Sequence, residues 1–406
     1  MFSTLRDRRL ALLTVGHAVN GIGSWAAFVA IWGYAVYRFD IGPGGVALLT
    51  LAWGGPPVVL GPLAGVVIDR VGPRRVAIAG DLLGAVASLA MALTGDFRSL
   101  AMLAAVHGVT KAFALPAYDA LPARLVEPAR LFDLNAILSA ATDLSIVLGP
   151  LLAAGVISVW GNRAAFVADA VSYLVGAAVV APLQLRPRVG DALDRVAMRA
   201  RDELREGLRV VRARPVAVSL FLLGFAMWMS YGTFGVLEPL YVRDVLHASV
   251  TTLALLQVAF GVGLVGTGLL LPRVRRAVER PSSLAVVAIA AGGGAAIYGG
   301  TSFVGVAFVG VFLWGITAGL FGAPSRTLLM LATPDTTHGR VLSAWRVVQQ
   351  LGHLVPVGLG PLLAGVVGVQ GVLVGVGAVC ALFGGSVLML RQPAGDDVGD
   401  LAVATP

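Results

Sequence analysis

Charge is scarce in this 406-residue chain: Asp, Glu, Lys and Arg make up 13% of it, about half the share usual in soluble domains. That shortage excludes an ordinary water-soluble globular protein. Cysteine is almost absent, and with Cys380 alone no internal disulfide can form. Lys111 is the only lysine among 30 basic residues, so no phosphate-cradling G-x-x-x-x-G-K-[ST] loop exists and ATP drive is not encoded. Neither H-E-x-x-H nor G-x-S-x-G occurs, and five scattered histidines suggest no metal site. The chain is therefore expected to be no enzyme and to carry no cofactor and no metal. Gly261, Gly263 and Gly266 spell G-x-G-x-x-G, but inside an apolar run with no strand before it, so they read as packing glycines.

What the chain has instead is apolar length. Hydrophobic residues make up 57% and the mean hydropathy is +0.86; at ~20 residues per span this supplies roughly a dozen bilayer crossings. Apolar runs bounded by charge, Pro or Gly fall at 10–37, 44–68, 76–94, 99–119, 134–159 and 163–185, then 215–242, 249–272, 282–300, 303–325, 341–367 and 370–390. The expected organisation is a six-helix half over 1–185, a connector over 186–214, a second six-helix half over 215–391 and a disordered tail over 392–406. Arg6, Arg8 and Arg9 lead into a first run too long for a cleaved signal, so that span is expected to stay.

A net charge of +8 raises the question of nucleic acid, and the placement of the arginines answers it. They gather before span 1, after spans 2, 4 and 8, and in the connector, where Arg186 to Arg214 supply nine; the opposite loops hold Arg38, Arg98, Arg163 and Arg243. By the positive-inside rule both termini and the connector are cytoplasmic, in a multi-pass protein of the plasma membrane that binds no nucleic acid. Within 190–214, Leu193, Val196, Leu204, Leu208 and Val211 recur at helical spacing among arginines and acids. This predicts an amphipathic helix on the inner leaflet.

The halves echo each other. Leu148-Gly149-Pro150-Leu151-Leu152-Ala153 in span 5 returns as Leu359-Gly360-Pro361-Leu362-Leu363-Ala364 in span 11, and Leu138-Ser139-Ala140 returns as Leu342-Ser343-Ala344. Parallel repeats of six spans are the trace of a transporter with a site near the midplane.

Between spans 2 and 3 lies Gly61-Pro62-Leu63-Ala64-Gly65-Val66-Val67-Ile68-Asp69-Arg70-Val71-Gly72-Pro73-Arg74-Arg75. It resembles the cytoplasmic loop signature of the major facilitator superfamily, G-x-L-x-D-R-x-G-R-K/R, with Val67 and Pro73 replacing the usual leucine and arginine. Further stretches, among them Asn135-Ala136, Asp169-Ala170-Val171-Ser172-Tyr173, Glu206-Gly207-Leu208-Arg209 and Gly339-Arg340-Val341, are similar to the macrolide-efflux-like and siderophore-exporter-like branch of its drug antiporters. The resemblance implies an all-α polytopic fold of twelve transmembrane helices in two pseudo-symmetric halves. It implies that Asp69 latches one conformational state with an arginine opening span 11, Arg340 or Arg346, and with Asp133. Gly61 and Gly65 form a small-xxx-small face for close helix approach, Gly72 suits a tight turn, and Asp69 can cap the following backbone. Arg70, Arg74 and Arg75 complete the signature. The arginine expected in span 4 of many proton-coupled relatives falls near Ala104.

Charges at bilayer depth are functional hypotheses by default. Lys111 lies near the middle of span 4, with His107 and Tyr118 on its face; Asp143 on span 5 is close to the same depth, so a Lys111–Asp143 ion pair is expected, either structural or a proton-responsive coupling element. His17 and Asn20 on span 1, Trp228, Tyr231 and Glu238 on span 7, and His353 on span 11 are further coupling or substrate residues, and Asp169 reads as a helix contact. Trp228 and Tyr231 offer flat apolar walls and Glu238 a negative charge, suited to a bulky amphipathic substrate.

The reading is a monomeric secondary active transporter that exports a small amphipathic molecule by alternating access, with protons as the coupling ion and the lipid bilayer as its solvent. An importer or facilitator of a small solute is the nearest alternative, and a non-transporting membrane protein on a degenerate fold the next.

Overall fold

A computed structural model describes residues 7–186, 196–278 and 280–389. Twelve α-helices and one 3-10 turn make up the regular structure there: α1 (Arg8–Arg38), α2 (Pro43–Val71), α3 (Pro73–Leu93), α4 (Phe97–Leu125), α5 (Pro128–Trp160), α6 (Asn162–Val180), α7 (Val196–Arg212), α8 (Pro215–Asp244), α9 (Val250–Val278), α10 (Pro281–Gly300), α11 (Val304–Leu331) and α12 (His338–Met389). All but α7 are long and apolar enough to span a bilayer. The 52-residue α12 is two spans in one: Gly368, at φ 76° and ψ 162°, breaks it into arms over 338–367 and 369–389. The sequence expectation of twelve spans is met.

Local chemistry starts these helices. Proline stands in the first turn of α2, α3, α5, α8 and α10, where its missing N–H costs nothing and its fixed φ suits the helix. Asp7 caps α1 through the amide of Arg9, and Asp96 caps α4 through that of Ser99. The expected loop between spans 2 and 3 contracts to one residue. Asp69 and Arg70 are inside α2, and Gly72 alone, at φ 94°, turns the chain into α3. Asp69 thus lies within α2 rather than in a loop, and the residue before α3, Gly72, has no side chain to cap it. Helix α4 runs past the expected end at 119 to Leu125, and α5 begins at Pro128 rather than 134, because charge ends an apolar run but does not end a helix.

The chain forms two compact units, Met1–Asp191 with His247–Val258, and Ala192–Leu246 with Ala259–Pro406. In the first, α1 packs on α5 and α6, α2 on α4, and α3 on both α4 and α6. In the second, α8 and α10 pack on α12, and α10 also packs on α11. The expected small-residue seam at Gly61 and Gly65 is not used within its unit: a Cβ at either would meet no atom within 4 Å. Close approach occurs instead at Gly108 of α4, where a Cβ would lie 2.3 Å from the Trp53 carbonyl oxygen of α2.

The connector helix α7 packs on protein, against α12 and α8. Val211 is buried, Glu206 accepts a 2.6 Å ion-paired bond from Arg340, and Gly207 sits so close to the Arg340 carbonyl that a Cβ would come within 2.4 Å. Leu193 and the expected disordered tail fall outside the described residues.

Candidate functional site

The first unit contains a seam of polar side chains that its apolar composition makes conspicuous. On α4, His107, Lys111 and Tyr118 stand at intervals of four and seven residues, which stack on one helix face. On α3, Asp81 and Ser88 are two turns apart, about 10 Å along the axis. On α6, Asp169 and Tyr173 are one turn apart. These three faces meet because α3 packs on both α4 and α6. Asp81, Ser88 and His107 have no solvent exposure and Asp169 has 1%. Placing one charge at this depth costs about 2.5–3.5 kcal/mol on insertion scales, so the groups persist only by satisfying one another.

Asp81 forms one node. It accepts from Asn20 Nδ2 of α1 at 3.1 Å and from the Tyr118 hydroxyl in a short bond. Asp169 forms the other, accepting from Ser88 Oγ at 2.5 Å, with His107 Nε2 at 3.5 Å. Its second oxygen is buried without a partner. His107 extends the second node: Nε2 is 2.9 Å from the Tyr173 hydroxyl, and Nδ1 receives the Trp53 indole N–H at 3.2 Å. Trp53 reaches it because Gly108, the residue after His107, lets the α2 backbone lie against α4. The ammonium of Lys111 sits 4.3 Å from the centre of the same indole ring, a cation–π placement.

The seam gathers Asn20, Lys111 and Tyr118, but the expected Lys111–Asp143 pair does not form. Lys111 lies on Trp53, and the carboxylate whose field reaches it is Asp169; Asp143, on an exposed face of α5, has interactions of its own. The physical reason is packing: α4 lies chiefly against α2 and α3, and touches α5 little. Asp169 makes the helix contact expected of it, joining α6 to Ser88 of α3 and His107 of α4. The sequence reading missed Asp81 and Trp53, although the seven-residue spacing of Asp81 and Ser88 on span 3 was legible. His17 lies apart, bonded to Thr142 Oγ1 at 2.9 Å.

In the second unit, Trp228 packs edge-on against Tyr231 (5.7 Å between centroids) and His353 (5.6 Å), and Tyr231 leans on Trp314 (5.1 Å), which Phe234 and Phe260 also flank. With its amide oriented to present oxygen, Gln349 accepts from the indoles of Trp228 at 2.8 Å and Trp345 at 3.1 Å. Two donors in this aromatic group, the Tyr231 hydroxyl and Trp314 Nε1, are buried without partners. Glu238 does not offer an open negative charge: it is 6% exposed and accepts the Tyr298 hydroxyl at 2.5 Å.

At the signature, Arg74 donates to the Leu183 carbonyl at 2.9 Å, tying the start of α3 to the segment after α6. Arg70, Arg75 and Arg346 are exposed, Asp133 sits in the early turns of α5, and Arg340 is engaged by Glu206.

The sequence pattern of the Major Facilitator Superfamily matches residues 13–357. The chain belongs to this superfamily of transporters. Macrolide efflux protein A of Streptococcus pyogenes is 25% identical over 221 residues, 53% of this chain and 54% of that protein, so the match spans about half the length of that relative. The uncharacterized MFS-type transporter YfiS of Bacillus subtilis (strain 168) is 20% identical over 90% of this chain and 88% of its own. Among solved structures, the fold matches a bacterial homologue of the human lysosomal transporter Spinster, inward-facing and unoccupied, with a TM-score of 0.68 at 15% identity, over 96% of this chain and 99% of that one. A POT family transporter in complex with a thioalcohol-conjugated peptide matches with a TM-score of 0.73 at 13% identity, over 94% and 96%. At such identity these structures speak for the fold, that of a multi-pass membrane transporter.

Proposed function

We propose that this superfamily member is a proton-coupled exporter of a small amphipathic molecule, working by alternating access with both termini in the cytoplasm. The observation that carries the coupling is the buried seam of the first unit, with two carboxyl groups, an imidazole and an ammonium inside an apolar bundle. A purely structural scaffold gains little from such groups, since apolar side chains of equal volume would serve stability as well. Export is supported by the likeness to macrolide efflux protein A. The aromatic group of the second unit suits such cargo: flat rings for apolar surface and two unpaired donors for ether or carbonyl oxygens. The signature residues Gly61, Gly65, Asp69, Arg70, Gly72, Arg74 and Arg75 then serve conformational latching, with Asp133, Arg340 and Arg346.

The test is accumulation of a labelled macrolide, beside cationic dyes, in everted vesicles under an imposed pH gradient. Uptake that collapses when an ionophore removes the gradient is expected; uptake indifferent to the gradient sinks the coupling. One charge crossing ~100 mV supplies about 2.3 kcal/mol, enough for roughly a 50-fold substrate gradient.

A further inference from the structure

Lys111 has three N–H donors to place, and among the described residues its ammonium makes no hydrogen bond and no ion pair; what it has is the face of the Trp53 ring. The carboxylates of the seam accept from other groups, Asp81 from Asn20 and Tyr118 and Asp169 from Ser88. The attraction of one ring falls short of what a charge costs at this depth, so the ammonium lacks an anion. Lys111 is only partly buried, which leaves it approachable. Trp53 itself is fixed from three sides: its carbonyl oxygen lies against Gly108, its N–H is bonded to His107, and its ring meets Trp32 at 5.3 Å and Phe28 at 6.1 Å. Trp25, Phe28 and Trp32 stand at intervals of three and four residues on one face of α1. The rings of Trp25, Phe28 and Trp53 keep part of their surface open. Beside Trp53 a Cβ at Gly54 or Gly55 would meet no atom within 4 Å. In the same wall Trp32 Nε1 is a buried donor without a partner.

We propose that Lys111 and the aromatic wall of α1 and α2 form a binding site for an amphipathic organic anion, a flat apolar body that carries one carboxylate. The carboxylate takes the unused N–H groups of Lys111 in charge-assisted hydrogen bonds, which are shorter and stronger than neutral ones. The body lies along the open ring surfaces of Trp25, Phe28 and Trp53, where flat groups gain from offset or edge-on ring contact. Because Trp53 is already held by its neighbours, the ammonium is positioned before a ligand arrives, and little ordering cost remains for binding. Lysine presents a compact point charge rather than the planar fork of arginine, which suits a single acidic group. The site narrows the class of amphipathic cargo to one bearing a negative charge, and its use in transport rests on the exporter reading above.

Equilibrium dialysis of radiolabelled naphthoate against the full-length protein in lipid nanodiscs at neutral pH, with empty nanodiscs as the baseline, tests the site without transport. The expected result is saturable binding to the native protein. Naphthalenemethanol, with the same ring and no charge, should compete about tenfold less well or worse, and naphthylmethylamine, with the opposite charge, less well again. Acetate, which has the charge without the ring, should compete poorly. Lys111→Met should lose about tenfold or more in naphthoate affinity and no longer tell the acid from the alcohol; Lys111→Arg should recover much of the loss and show that the fold is kept. Equal binding of acid and alcohol by the native protein, or naphthoate affinity unchanged in Lys111→Met, overturns the proposal, and the first of these needs no variant to fold. Uptake of naphthoate and of macrolide in everted vesicles separates the two readings. Gradient-driven macrolide uptake by a protein that binds no naphthoate leaves export and removes the site; Lys111-dependent naphthoate binding with no gradient-driven uptake of either probe leaves the site and removes proton-coupled export.

Discussion

Trp53 serves two neighbours at once, its N–H engaging His107 and its ring face carrying Lys111. The contributions separate by substitution. Trp53→Phe keeps a ring for the ammonium but removes the donor, and a lost hydrogen bond of about 1 kcal/mol should lower the detergent melting temperature modestly; Trp53→Leu removes both and should cost more. Asp96 supplies a contrast outside the membrane. Bonds from the Ser99 amide and hydroxyl hold its carboxyl below the usual carboxylate range. A carboxyl depressed in the folded state stabilises fully above its unfolded value and loses that contribution as pH falls through the folded one. Thermal melts of Asp96→Ala and the native protein should therefore differ at neutral pH and converge in acid. At this scale the sequence was informative about which polar residues matter and silent about who meets whom. Lys111, Tyr118 and Asn20 stand out by depth alone, while the choice of Asp169 over Asp143 depends on which helices pack, and periodicity holds no record of that.

At the scale of elements, two short stretches that looked merely family-like in sequence turn out to touch. Glu206-Gly207 on α7 meets Arg340 at the start of α12. The ion pair is about half exposed, at 40% and 48%, and pairs of that kind contribute about 1 kcal/mol or less. The glycine matters more, because a Cβ 2.4 Å from a helix carbonyl oxygen cannot be relieved by turning a side chain. Gly207→Ala should loosen α7 and expose Arg205 and Arg209 to trypsin, whereas Glu206→Gln should change the cleavage rate little; equal rates in the two variants would refute that ranking. Gly368 is the second decisive element. Its backbone at φ 76° and ψ 162° costs a residue with a side chain about 1–3 kcal/mol, so Gly368→Ala should lower the melting temperature by a few degrees. The sequence marked this break correctly as the gap between 367 and 370. It missed the lengths of α4 and α5, because their extra turns carry charge and stand outside the apolar pattern.

For the whole molecule, composition already excluded a soluble enzyme, and the repeated Leu-Gly-Pro-Leu-Leu-Ala motif pointed to two halves; the superfamily match over residues 13–357 agrees with both. The asymmetry within that plan was not legible. The first unit keeps its ionisable groups in a bonded seam, and the second gathers aromatic rings and buries Glu238 under Tyr298. The proposed placement of both termini in the cytoplasm can be checked by replacing the buried Cys380 and introducing single cysteines before α1 and between α4 and α5. Both should react with a membrane-impermeant maleimide in everted vesicles and resist it in intact cells. A different consequence follows from the single lysine. Apart from an α-amine, the only nucleophilic nitrogen that an acylating or carbamylating reagent can find on a side-chain amine belongs to Lys111, and that nitrogen rests on the Trp53 ring. The mass of one modified peptide would then time how often the interior of the first unit admits solvent, in the unaltered protein and without any engineered label.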